Sequence, residues 1–95
     1  MEIERESKPE NTLAHLRGCI DQVDTEILSL LAKRVRLVRR VGEAKREEGL
    51  PIIDRGREAD KIRSLVEKGN KIGVPADEIT GVWNTIFQSA YEIET

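Results

Sequence analysis

The sequence has few of the features that stabilise small domains through covalent bonds or metal ions. Among its 95 residues, Cys19 is the only cysteine, which excludes an intramolecular disulfide. No cluster of His, Cys, Asp or Glu has the spacing of a metal site. Hydrophobic residues make up only 38% of the chain, and aromatic residues 3%. A monomer of this composition would have a thin core, so we expect the chain to form oligomers.

Long apolar runs and an excess of one charge are also absent. No apolar run approaches the length of a transmembrane helix, and Met1–Glu10 contains no apolar core of a signal peptide. The formal net charge is only −2, whereas a general nucleic-acid binder would carry a basic excess. We therefore expect a cytoplasmic protein that binds neither membranes nor nucleic acid.

The pattern that is present is helical. No stretch alternates apolar with polar residues as a strand would, so we predict an all-α fold. Over Leu13–Glu47, apolar residues recur every three or four positions, which is typical of a long amphipathic helix with a narrow apolar seam. Asn11 or Thr12 can cap the start of this helix, and Gly49 and Pro51 end it.

Two shorter helices complete the predicted domain. The first covers about Arg55–Gly69 with Asp54 as its N-cap, and the second starts near Pro75, since proline is favoured at a first helical position. We expect residues 1–11 to form a flexible charged tail and residues 12–95 to form the helical domain. Each short helix offers one narrow apolar face, so two long helices packed across a two-fold axis would bury more surface. The pattern therefore favours a homodimeric helical bundle.

One cation interrupts the apolar seam of the long helix. Seven residues after Ile27, where the seam calls for an apolar side chain, the sequence has Arg34. A guanidinium group in this position is costly unless an anion meets it. The anion could be Asp24 or Glu26 of another helix, in a structural ion pair, or it could be a ligand.

Other cations help to choose between these readings. Lys45 follows Arg34 by eleven residues, which places both on one helix face, roughly 16 Å apart along the axis. Arg17 lies about 260° around the helix from Arg34, so it would serve the same site only from a partner subunit. A local cationic site of this kind suits a small anion. The remaining arginines of this region are interpreted as a solvated face that pairs with nearby glutamates: Arg36, Arg39, Arg40 and Arg46.

Two further places could contribute to an anion site. At the start of the second helix, backbone N–H groups attract anions, Arg57 adds a forked donor, and Glu58 could accept a hydrogen bond from a hydroxyl. Glu94 occupies the apolar stripe of the third helix. The alternatives are surface ion pairing for Arg57 and Glu58, and a fraying helix end for Glu94. No nucleophile–base pair is present, so an enzyme of this sequence would orient its substrate among fixed charges.

Three segments, in order along the predicted helices, resemble the all-α class of chorismate mutases. They are LRGCIDQVDTEILSLLAKR at 16–34, VGEAK at 41–45 and PIIDRGREAD at 51–60. The resemblance covers about Leu13–Glu94. It implies an intertwined homodimer with two active sites shared between subunits, no cofactor or metal, and the [3,3] rearrangement of the dicarboxylate chorismate to prephenate, on the route to phenylalanine and tyrosine.

The resemblance also implies roles for individual residues. Arg34, and Arg17 from the other subunit, would bind substrate carboxylates. Lys45 would contact a carboxylate and the ether oxygen whose bond breaks. The ring hydroxyl would be held by Asp54, through its backbone, and by Glu58, with Arg57 assisting on the anionic side.

Two positions depart from one common form of this family's pattern. Ala90 stands where some members carry a serine, which removes one hydrogen bond to a carboxylate. Glu94 stands where some carry a glutamine against the ether oxygen. A carboxylate there would repel the developing negative charge, so Glu94 would have to be protonated to donate a hydrogen bond.

Two alternative functions remain open from the sequence. An isochorismate-pyruvate lyase shares this fold and the cationic pocket. A non-catalytic helical dimerisation module, or a regulatory partner docked on another aromatic-pathway enzyme, would need no catalytic Arg34. For such a module a leucine at this position would pack better, without loss of function.

Overall fold

The computed structural model describes residues 12–95, and these residues form three α-helices and no strand. Helix α1 spans Leu13–Glu48, α2 spans Arg55–Ile72, and α3 spans Ala76–Glu94. The predicted all-α fold, with one long and two shorter helices, is therefore confirmed. The predicted tail and the possible cap at Asn11 lie outside the described residues. None of the three helices is long and apolar enough to cross a membrane.

The chain divides into two compact units, residues 1–34 and residues 35–95, with the boundary inside α1. The grouping of residues 12–95 into one domain stays a prediction.

In the first unit, the start of α1 is capped as predicted and its apolar seam is exposed. The side-chain oxygen of Thr12 accepts a hydrogen bond from the His15 backbone N–H at 3.1 Å. The apolar side chains that follow are 37% to 67% exposed: Leu13, Leu16, Ile20, Val23, Ile27, Leu28, Leu30 and Leu31. An apolar stripe of this length is stable only when another surface covers it.

In the second unit, α1 ends in a Schellman motif centred on the predicted glycine. Gly49 adopts a left-handed conformation with φ 70°, which a glycine reaches without steric cost. The Gly49 N–H donates to the Arg46 carbonyl at 3.3 Å, and the Leu50 N–H donates to the Lys45 carbonyl at 2.8 Å. These bonds turn the chain back toward α1.

Helix α2 starts as predicted but ends three residues later than predicted. The Asp54 carboxylate accepts a hydrogen bond from the Arg57 backbone N–H at 3.1 Å, which confirms the N-cap. The helix continues through Gly69 to Ile72, and Gly73 takes the left-handed C-cap position instead. Gly69 is helical and buried, and a Cβ atom added to it would collide with the Ile79 side chain of α3.

Helix α3 packs against α2 through part of its predicted stripe. Pro75 is the N-cap with extended backbone, so the first helical residue is Ala76 rather than the proline. Ile79 and Ala90 are buried, and Trp83, Ile86 and Phe87 are half-buried. Val82 belongs to the same predicted apolar stripe, but its side chain is 45% exposed. The stripe ends in a charged residue that is more buried than most of its apolar members: Glu94, at 6% exposure.

Candidate functional site

The buried carboxylate of Glu94 forms an ion pair with Lys45. Lys45 Nζ lies 2.6 Å from Glu94 Oε1, with side-chain exposures of 21% and 8%. The same ammonium donates to the backbone carbonyl of Ile52 at 2.6 Å. The turn that ends α1 therefore supplies the second acceptor, because it returns the chain to Lys45. A charge removed from water needs such partners, and these contacts provide them for both groups.

Gly42 makes this contact between α1 and α3 possible. It lies three residues before Lys45 and is buried. A Cβ atom added to it would lie 2.9 Å from Glu94 Cα and 3.0 Å from Glu94 O, both backbone atoms. The backbone at the end of α3 therefore rests directly on α1 where α1 has no side chain.

Arg46 also contacts Glu94, although the sequence placed it on a solvated face. Arg46 Nη1 donates to the Glu94 backbone carbonyl at 2.8 Å. Arg46 is exposed, as the solvated-face interpretation expects, but this contact is with another helix 48 residues away and not with a nearby glutamate of α1. One feature of the sequence points to this contact. The last turn of α3 contains two glutamates and no basic residue, and the C-terminal end of a helix is itself partly negative, so a cation from another element is favoured there.

Tyr91 is a second residue that sequence reasoning missed. Its hydroxyl donates to Glu58 Oε2 at 2.5 Å and so connects α3 to the first turn of α2. The pKa of Tyr91 is raised, first by this hydrogen bond to Glu58, then by burial and by the Glu58 charge, while Arg55 acts in the opposite direction. Tyr91 therefore remains a hydrogen-bond donor at neutral pH.

The candidate residues from the sequence fall in both units. Lys45 and Glu94 are in contact; Ala90 is buried one turn before Glu94. Asp54 uses its side chain to cap α2, and the Arg57 side chain is exposed. In the first unit, Arg17 is exposed and Arg34 is half-buried. The roles proposed for these residues stay predictions. In residues 12–95, no group of His, Cys, Asp and Glu could hold a metal ion.

The geometry around Lys45 is suited to binding an oxygen ligand. An ammonium group has three N–H donors, and the two contacts with Glu94 and Ile52 use two of them. An anionic ligand would also compete with Glu94 for the same ammonium. A partly buried point charge of this kind stabilises negative charge that develops on a nearby oxygen during a reaction.

We predict that Gly42→Ala destabilises the protein although alanine is the better helix former. The added Cβ would displace the backbone of Glu94, so we expect the free energy of unfolding to fall by about 1–3 kcal/mol. The matched control is Gly81→Ala in α3, where a Cβ meets nothing within 4 Å. This control should raise the free energy of unfolding by about 1 kcal/mol. Urea unfolding at fixed protein concentration would measure both, and equal stabilisation by the two changes would contradict the close contact.

We predict that Tyr91 titrates above 10.0, its ordinary value. It is the chain's single tyrosine, so the ultraviolet absorbance of phenolate reports this residue alone. Glu58→Gln should lower the pKa of Tyr91, whereas Glu78→Gln in the first turn of α3 should leave it unchanged. Because the pKa of Tyr91 is raised in the folded state, its hydrogen bond to Glu58 contributes to the stability of the fold. This contribution is complete below pH 10 and is lost as pH rises through the folded-state pKa. Identical titration curves for the two variants would contradict the Glu58 hydrogen bond.

Comparison with known proteins places the chain in a family. The family model described as chorismate mutase type II matches residues 16–95. A T-protein of Enterobacter agglomerans is 43% identical over 82 residues, which cover 86% of this chain but 22% of that protein. A chorismate mutase of Methanocaldococcus jannaschii is 38% identical over 89 residues, covering 87% of this chain and 90% of that protein.

A bifunctional chorismate mutase/prephenate dehydratase of Aquifex aeolicus is 32% identical over 85 residues, covering 86% of this chain and 24% of that protein. The chain thus spans less than a quarter of the two longer relatives and nearly all of the shorter one. The matched region contains both partners of the Lys45–Glu94 ion pair. On the match over residues 16–95, the chain belongs to the chorismate mutase type II family.

Proposed function

We propose that the chain is a chorismate mutase, an isomerase that converts chorismate to prephenate in the biosynthesis of phenylalanine and tyrosine. Family membership supports this proposal, as does a relative of nearly the same length that is named chorismate mutase. The observation that carries it is the partly buried Lys45 ammonium, held 2.6 Å from both Glu94 Oε1 and the Ile52 carbonyl.

The reaction needs no group from outside the substrate. One C–O bond of the ether breaks while one C–C bond forms, and no atom is gained or lost. Negative charge grows on the ether oxygen as its bond lengthens, and Lys45 is the cation that stabilises it. The substrate must also be held in a folded conformation, with the atoms that form the new C–C bond close together. The cationic side chains of the site achieve this because they orient the two carboxylates of the substrate.

The other residues of the site bind and orient the substrate. Arg34 binds one carboxylate, and Arg17 of the partner subunit binds another. Glu58 accepts a hydrogen bond from the ring hydroxyl, with the Asp54 backbone beside it and Arg57 on the anionic side. The Glu58 carboxylate has a second oxygen for this task, because Tyr91 occupies only Oε2. Ala90 adds no hydrogen bond, so the arginines carry the recognition of the carboxylates.

We propose that the protein is a homodimer with active sites shared between subunits. The eight exposed apolar side chains between Leu13 and Leu31 support this proposal, because a second copy can cover them with the same stripe. Arg17 lies among them and is exposed, as a residue that serves the partner's site requires.

The setting of the enzyme is also a proposal. We propose that it acts in the cytoplasm, alone or docked on another enzyme of the aromatic pathway. Relatives whose names combine a chorismate mutase with a prephenate dehydratase support the docking, since the matched segment there belongs to a larger protein.

We predict that the purified protein consumes chorismate and that two substitutions abolish this activity. Lys45→Ala removes the charge at the ether oxygen, so kcat should fall by roughly 100-fold or more. Arg34→Leu should likewise abolish turnover while the dimer survives. Loss of chorismate absorbance measures activity, and size-exclusion chromatography measures the oligomeric state.

The controls separate this function from its alternatives. Arg40→Ala changes an exposed arginine of α1, and its turnover should stay within about threefold of the parent. Isochorismate is assayed in parallel, and faster release of pyruvate from it than loss of chorismate would assign a lyase instead. An Arg34→Leu protein that is more stable and functionally unchanged would indicate a non-catalytic module.

We also predict that Glu94→Gln keeps turnover, whereas Glu94→Ala loses it. The amide of glutamine can donate a hydrogen bond to the ether oxygen from this position, and alanine has no donor. Loss of chorismate absorbance compares the two variants with the parent, and equal turnover in Glu94→Gln and Glu94→Ala would contradict this role of Glu94.

A further inference from the structure

The last turn of α3 is electrostatically unfavourable by itself. The C-terminal end of a helix carries partial negative charge on carbonyl groups that have no partner within the helix. In α3 this end also carries Glu92 and Glu94, and its last turn contains no basic residue. Its final backbone bond, from the Thr95 N–H to the Tyr91 carbonyl, is long at 3.3 Å. Such an end frays unless another element holds it.

The last turn of α1 supplies the missing positive charge. Two consecutive residues there contact the same residue of α3 in different ways: Lys45 meets the Glu94 carboxylate at 2.6 Å, and Arg46 meets the Glu94 backbone carbonyl at 2.8 Å. The Arg46 contact uses only the backbone of Glu94 and leaves the carboxylate to Lys45. At Gly42 the two backbones approach closely enough for Arg46 to span the distance.

We propose that Arg46 is a positioning residue, which fixes the main chain of Glu94 so that its carboxyl group reaches Lys45 and the substrate. The kinetic part of this inference rests on the proposed mutase function. An ion pair between two flexible side chains leaves the backbone of Glu94 free to move. The Arg46 bond restrains that backbone directly.

Lys45 and Arg46 bind different atoms of Glu94, and this difference matters when substrate binds. An anionic substrate draws Lys45 away from Glu94, which removes one of the two polar contacts that α1 makes with Glu94. The Arg46 bond uses a main-chain oxygen, so this competition does not affect it. Glu94 therefore stays beside the substrate after its carboxyl group has left Lys45.

Amide hydrogen exchange tests the positioning without reference to activity. In Arg46→Ala, exchange at residues 92–95 should rise by about tenfold or more relative to the parent. Arg46→Lys keeps a single cationic donor and should restore part of the protection. Arg40→Ala, an exposed arginine on the same helix, should leave it unchanged. Unchanged exchange in Arg46→Ala would overturn the proposal.

Kinetics then test whether the positioning serves catalysis. Arg46→Ala should lower kcat about tenfold with less than a threefold change in KM, and Arg46→Lys should recover part of kcat. In a Glu94→Ala background, Arg46→Ala should cause no further loss, because the group it positions is gone. A raised KM, or a further loss in that background, would mean that Arg46 binds substrate directly and would overturn the proposal.

The two arms fail in distinguishable ways. A parent protein that does not consume chorismate refutes the proposed function, while the exchange measurement still decides whether Arg46 fixes the end of α3. Raised exchange with unchanged kcat reduces Arg46 to a stabilising contact and overturns its catalytic part. Where Arg46→Ala does not fold, Arg46→Lys and Arg46→Gln carry the same comparisons.

Discussion

The burial of a carboxylate at the end of α3 is the constraint on which the second unit depends. An ionised group that leaves water is stable only when opposite charge and hydrogen bonds replace its hydration. Lys45 provides the charge, and the turn at Gly49 returns Ile52 to the same ammonium. Gly42 admits the α3 backbone to within contact of α1. The motif VGEAK thus places Gly42 and Lys45 within one helical turn. Because Gly42 has no side chain, the end of α3 can approach α1 closely enough for Glu94 to reach Lys45.

Capping residues near each helix end predicted where the helices begin and end. Where a prediction was wrong, as at the end of α2, the structure shows a contact between helices. Thr12, Asp54 and Gly49 act within a few residues of their own positions, so their roles could be read directly. Gly69 was predicted as a helix end, but the helix continues past it, and the missing side chain admits Ile79 of α3. Propensity is a weak guide where a tertiary contact competes with it.

The candidate site was predictable to the extent that its residues violate the apolar pattern. Arg34 and Glu94 are charged at positions where periodicity calls for apolar side chains, and this is visible without a structure. Arg46 and Tyr91 violate nothing in the sequence. Their partners lie 48 and 33 residues away, so only the packing of α3 onto its neighbours reveals them. The roles proposed for Arg17 and Arg34 involve the substrate and, for Arg17, a partner subunit, so the local sequence pattern alone could not establish them.

The position of Glu94 has a practical consequence for handling and engineering the protein. Only Thr95 separates Glu94 from any polypeptide that is joined after it. Such a polypeptide would therefore lie close to the Glu94 carboxylate, which pairs with Lys45, and to the Glu94 carbonyl, which Arg46 binds. A purification tag or a fused reporter at that point would pull on Glu94, whose placement the proposed reaction would require. An addition placed directly after Thr95 would therefore need a flexible spacer before its activity could be compared with that of the parent sequence.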